Sequence, residues 1–262
     1  MTFKVTGKVA LIAAGALVVL LIIFLFATAE KPVAGKLSGQ VFPDSRVAAL
    51  ARAACHGRRT AVARAVRGGA DPNGPGLGGV TPLYWAMVCR NKAGAEALLS
   101  AGGDPNHNFG RGGSAMHLSA GMPDPAWLKM MLRHHGDPNA FDPSDGSTAL
   151  IWGLKVGMIE DKWDNYYALL NGGADLNLVD RDHSSVALAA AAAGRYDKVA
   201  ELIERGYSYN LAELAGPLSM QLAIEEDYAR RGVAGTDPQV LAGMRQVRQL
   251  LIARGVKFPE LP

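Results

Sequence analysis

The chain has 262 residues, of which 19% are charged, and a net charge of +3. That length holds one large domain or two small ones, and the Lys and Arg residues form no basic block, so nothing asks for nucleic acid. Two cysteines, Cys55 and Cys89, are too few for a disulfide framework or a metal site.

The first predicted element is Val9–Phe26, an unbroken apolar run of eighteen residues behind Lys4 and Lys8. Eighteen helical residues rise about 27 Å, close to the thickness of a hydrocarbon core. The run therefore reads as a spanning helix or as the core of a secretion signal. Its length favours a retained anchor over 9–29 after a short basic N-terminus at 1–8. Ala27-Thr28-Ala29 is nevertheless an A-x-A sequence of the kind a signal peptidase cuts. A basic N-terminus before such a sequence predicts export of the C-terminal part. The expectation is a single-pass protein of the bacterial inner membrane with its bulk in the periplasm, joined by a linker at 30–43.

From residue 44 onward one pattern recurs. GADPN at 69–73 is followed by GGDPN at 102–106, HGDPN at 135–139, GADLN at 173–177 and GYSYN at 206–210. The closing Asn residues stand at 73, 106, 139, 177 and 210, at intervals of 33, 33, 38 and 33. A second signature keeps the same phase: Thr81-Pro82-Leu83-Tyr84-Trp85-Ala86, then Ser114 to Ser119, Thr148 to Gly153 and Ser185 to Ala190. Two signals locked to one period mark a repeat architecture. A single unit of this kind cannot bury its apolar face, and only stacking does so.

These residues resemble the ankyrin repeat over residues 44–262. The resemblance implies an all-α fold, an ankyrin-repeat solenoid of about six helix-turn-helix units with hairpin loops, preceded by the one N-terminal transmembrane helix. The units run about 45–73, 74–106, 107–139, 140–177, 178–210 and 211–262. Thr or Ser caps the first helix of a unit, and Pro at the next position starts it without wasting an amide. Paired aliphatics such as Leu98-Leu99 and Leu202-Ile203 supply the buried side of the second. Gly68, Gly102, Gly172 and Gly206 are expected to end it in the left-handed region, with His135 in that place in the third unit. Asp and Asn then turn the chain by bonding nearby backbone. Cys55 and Cys89 fall on the same face of adjacent units. Stacked helices run about 8–10 Å apart and a disulfide needs Cα atoms within about 7 Å, so a bond between them requires local adjustment.

Ankyrin repeats bind other proteins through their hairpin tips and the exposed edge of their first helices. Carried onto this chain, the tip residues are Leu77, Val80, Phe109, Arg111, Phe141, Asp145, Arg181 and Asp182, and the helix residues are Val88, Met122 and Lys155. Gly76 and Phe109 stand where the family favours Asp, which predicts mobile tips with Phe109 and Leu77 exposed. His117 is expected to bond the neighbouring loop. The resemblance implies a monomeric, non-enzymatic interaction module with no cofactor and no metal, meeting a protein partner and held to the membrane by its N-terminal helix. It further suggests an immunity protein that masks a toxic secreted effector. The alternatives are an envelope-stress protein or scaffold assisting a periplasmic enzyme, and an enzyme with a site around Glu225, Glu226 and Asp227. Those three point in different directions from a helix, as a solvated surface does.

Overall fold

A computed structural model describes residues 38–109, 113–232 and 237–258. The chain divides into two compact units, Met1–Gly173 and Ala174–Pro262. Every described element longer than an isolated bridge is helical.

The first unit opens with a short helix α1 (Ser38–Val41) and continues in helix pairs: α2 (Ser45–Cys55) with α3 (Arg59–Arg67), α4 (Pro82–Val88) with α5 (Lys92–Ser100), α6 (Ala115–Ala120) with α7 (Ala126–Arg133), and α8 (Ala149–Glu160) with α9 (Asp164–Asn171). The second unit holds α10 (Val186–Ala192) with α11 (Tyr196–Glu204), and α12 (Leu211–Arg230) with α13 (Pro238–Ala253). Local chemistry explains the starts. The Thr81 hydroxyl accepts from the Tyr84 amide and Ser185 from the Leu188 amide, each supplying a partner to an amide that the helix itself leaves orphaned. In α6 the cap is reciprocal: Ser114 N–H donates to His117 Nδ1 at 3.2 Å. His117 Nε2 then lies 2.9 Å from the Ala140 carbonyl, to which it donates, and burial pushes the imidazole pKa down.

The expected fold class and location need correction on one point. Among the described residues no helix is long and apolar enough to cross a membrane. The longest, α12, is interrupted by Glu213, Glu225, Glu226, Asp227 and Arg230, charges that a hydrocarbon core does not accept. The transmembrane segment expected at 9–29 lies outside the described residues. The described fold is all-α helix pairs alone and does not support a single-pass inner-membrane location.

Three other differences concern packing. The linker expected at 30–43 ends in structure: Val41 and Phe42 are buried with Val47, Ala51 and Trp85, and the Phe42 and Trp85 rings meet edge-on at 5.8 Å. At the turns that lead to the five repeat Asn residues, the left-handed positions are Gly69, Gly102, His135, Gly173 and Gly206, whereas Gly68 and Gly172 keep φ near −80° (−81° and −84°). The observed set keeps the same phase as the Asn residues, which is the sequence signal that separates Gly69 from Gly68.

The third difference is the role of Asn. The Asp residues do bond locally, with Asp104 Oδ1 accepting from the Asn106 amide at 2.8 Å. The Asn side chains instead reach the following repeat. Asn73 donates to the Gly102 carbonyl at 2.9 Å and accepts from the Asp104 amide at 2.7 Å. Asn106 does the same with His135 O at 2.9 Å and Asp137 N at 2.7 Å, and Asn139 donates to Gly173 O at 3.3 Å. Within the second unit, Asn177 Oδ1 accepts from the Ser208 and Tyr209 amides at 2.8 and 2.9 Å. Each carboxamide offers both a donor and an acceptor to this bridge, whereas Asp at neutral pH offers only the acceptor. Asn106→Ala is expected to lower stability by about 2 kcal/mol, the sum of two ordinary hydrogen bonds. Urea denaturation checks this, and Asn106→Asp should recover only part of the loss.

Candidate protein-binding surface

Two of the hairpins are held by their own Asp residues, Asp142 and Asp180. Phe141 pairs with Thr148 and Val179 with Ser185 in isolated bridges. Buried Asp142 accepts from the Ser144 amide at 2.7 Å, and Asp180 accepts from the Asp182 and Ser184 amides at 3.0 and 2.8 Å. Gly76 lacks such a carboxylate for a packing reason. A Cβ there would lie 2.9 Å from the Val41 carbonyl oxygen and 3.0 Å from the Phe42 ring. The segment ahead of α2 thus covers the first hairpin, and a side chain at 76 has no room.

The residues assigned to binding are scattered in character. Leu77, in the turn Leu77–Gly79, is 61% exposed and Phe141 is 47% exposed. Val80 packs against the cluster of Val41, Phe42 and Trp85. Phe109 turns back onto Tyr84, ring centroids 4.5 Å apart at 63°, and burial raises the Tyr84 phenol pKa. Arg111 lies outside the described residues. Val88 ends α4, half-buried, and the Met122 carbonyl accepts from Asn165 Nδ2 at 2.7 Å. Asp145 is exposed, with Oδ1 accepting from the Ser147 amide at 2.8 Å. Lys155 stands over the Trp152 ring at 5.2 Å. Arg181 and Asp182, in the second unit, are exposed. Leu77 and Phe141 are therefore the assigned residues that present large apolar side chains to solvent.

Charges near the first unit's second helices pair across repeats. Glu96 accepts from His134 Nε2 at 2.8 Å and from Arg133 at 3.1 Å, and the His134 bond leads the interactions that lower its pKa. Lys92 pairs with Asp124. In the second unit two of the three acids considered as an enzyme site have structural partners. Glu226 accepts from Arg245 at 2.9 Å, and Asp227 pairs with Arg230 at 3.4 Å and Arg231 at 2.9 Å. Residue spacing leaves one feature open and marks another only faintly. The first is the bond between Cys55 and Cys89, whose Cα atoms are 5.4 Å apart. The second is the exposed apolar face of α12, whose signal in the sequence is Met220, Ile224 and Tyr228 at four-residue steps.

Stacked helix pairs joined by capped hairpins and bridged by Asn side chains define a helical repeat protein built for surface contact. No family model matches the chain. It is similar to Protein PhlB of Serratia liquefaciens, 31% identical over 102 residues, which are 39% of this chain and 43% of that protein. It is also similar to a protein of Acanthamoeba polyphaga mimivirus named as a putative ankyrin repeat protein, 29% identical over 102 residues, 39% of this chain and 13% of that protein. The match spans less than half the length of either relative. The second similarity and the all-helical fold agree with the ankyrin resemblance and support a repeat-type protein-interaction role.

Proposed function

We propose that this chain is a non-enzymatic protein-binding module that masks a toxic secreted effector, as an immunity protein does, using the hairpin tips of its first unit. The observation that carries the reading is the pair of bulky apolar side chains left exposed, Leu77 in the turn that the Gly76 amide closes on the Val80 carbonyl at 2.7 Å and Phe141 on a bridged hairpin. A rigid loop presents such a group without the entropy of ordering it on binding, and exposed aromatic groups on rigid supports commonly anchor a protein contact. Phe109 and Val80 stiffen the same edge from behind by packing on Tyr84 and on the first core cluster.

Co-expression with each candidate secreted enzyme, starting with any encoded beside its gene, tests the function. One of them is expected to lose toxicity and to co-purify with this chain. Leu77→Asp together with Phe141→Asp should weaken that complex at least tenfold, about 1.4 kcal/mol, and restore toxicity, with the melting curve unchanged. Full protection by the double variant would refute the assigned surface. Toxicity in every pairing would refute the masking role.

A further inference from the structure

Helix α12 departs from the first helices of the other pairs. It has 20 residues, and Pro217 sits inside it. Proline has no amide to offer the Glu213 carbonyl and its ring crowds that carbonyl, so a helix bends at this point. Within the second unit α12 packs along α13, and α13 and α10 pack on α11. Between α10 and α12 lies a cavity of about 210 Å³, with Leu188, Leu214, Leu218 and Val247 among its walls. It opens beside Pro217 and Gln221, both exposed. The facing residues of α10 are Ala191 and Ala192, too short to fill the space.

The size of the cavity selects its occupant. A void of about 150 Å³ already holds a benzene ring, whereas sites for whole drug-sized ligands start near 300 Å³. One aromatic side chain therefore fits, with the rest of its molecule outside. The surroundings match such an anchor. Met220, Ile224 and Tyr228 are 64%, 42% and 44% exposed. Four-residue steps place them one above another along α12, in the row next to Pro217 and Gln221. An apolar row beside an apolar cavity marks a contact surface.

Charge narrows the partner further. Glu213 lines the cavity, and Glu225 lies one turn past Gln221 on α12, twelve residues from Glu213, or about 18 Å along the helix. Among the described residues neither has an ion pair: Glu213 accepts from Asn210 at 2.6 Å, and Glu225 adds to the upward shift that burial gives the Tyr196 phenol. The neighbouring cations are engaged, Arg230 and Arg231 by Asp227 and Arg245 by Glu226. The α12 wall is left acidic at both positions.

We infer that this groove docks a polypeptide segment that inserts one aromatic side chain between α10 and α12 and sets a Lys or Arg on each side of it against Glu213 and Glu225. This site lies in the second unit and does not depend on the hairpin tips.

The test titrates the full chain, with methyl groups labelled for NMR, against the blocked tripeptide acetyl-Arg-Trp-Arg-amide in 0.15 M salt. Saturable shifts are expected at the Leu188, Leu214 and Val247 methyls. Acetyl-Arg-Ala-Arg-amide and acetyl-Glu-Trp-Glu-amide should bind at least tenfold more weakly. Ala192→Phe, which fills the mouth from α10, should abolish the shifts. Glu213→Gln with Glu225→Gln, which removes both charges and keeps an acceptor for Asn210, should weaken binding at least tenfold without lowering the melting temperature. Shifts confined to the first unit would overturn the inference. Equal binding of the acidic peptide would remove the charge assignment, and equal binding of neutral acetyl-tryptophan-amide would make the cavity a small-molecule site instead.

Discussion

Gly94→Ala is expected to destabilise the first unit by at least about 2 kcal/mol, against the usual gain from replacing glycine in a helix. Alanine improves helix propensity by about 1 kcal/mol, and α5 would otherwise welcome it. A Cβ at Gly94, however, would stand 1.8 Å from the Ala54 carbonyl oxygen and 2.6 Å from its carbon. Both are backbone atoms of α2, so no rotamer change relieves the overlap and the two helices must separate. Overpacking of this kind typically costs about 1–3 kcal/mol and sometimes more. The control is Gly39→Ala in α1, where a Cβ meets nothing within 4 Å. That variant should gain up to about 1 kcal/mol. Urea denaturation of both variants decides the matter: a Gly94→Ala chain as stable as the parent would mean that α2 and α5 do not touch as described.

Loss of the Cys55–Cys89 bond is expected to cost about 3–4 kcal/mol, the loop-closure value for a crosslink across a few tens of residues. The two cysteines are 34 residues apart in sequence. The bond joins the end of α2 to the cap of α4, so it ties the first repeat to the second. That tie matters because α3 buries only Val62 of its nine residues, leaving the first repeat with little else on its outer side. Cys55→Ala with Cys89→Ala, or a reductant, should therefore speed amide exchange across residues 45–67 about a hundredfold or more, at 1.4 kcal/mol per factor of ten. Exchange elsewhere should change far less, because a repeat stack opens from its ends. Equal protection of the first repeat with and without reductant would refute this. The two predictions also couple: Gly94 is what lets α5 reach the end of α2, so the combined variant should lose less than the sum of the separate losses.

Features that are local or periodic could be read from residue type and spacing. The repeat phase, the Thr81 and Ser185 caps, the Asp turns and the left-handed position that His135 shares with Gly102 all depend on neighbours within a few residues. Such interactions are the same wherever the unit sits, so the chain carries their signal directly. The bond from His117 to the next hairpin was legible for a related reason, since a constant period carries its partner along.

Distances between repeats are a different matter, because they exist only after stacking. Asn73 and Asn106 have local-looking positions, yet their partners lie in the following repeat, and only stacking brings those carbonyls and amides within reach. Ordinary helix spacing leaves the Cys55–Cys89 bond open, since it requires a local adjustment. The two cysteines meet because both stand at helix ends, beside the contact that Gly94 makes possible. Gly76 read as a mobile loop and is instead a close approach to Val41 and Phe42. Phe109 read as exposed and packs on Tyr84. The groove beside α12 is the extreme case: Ala191, Ala192 and Pro217 are legible as small or helix-bending residues, but a cavity exists only once two backbones have been set apart, and no residue spacing encodes that separation.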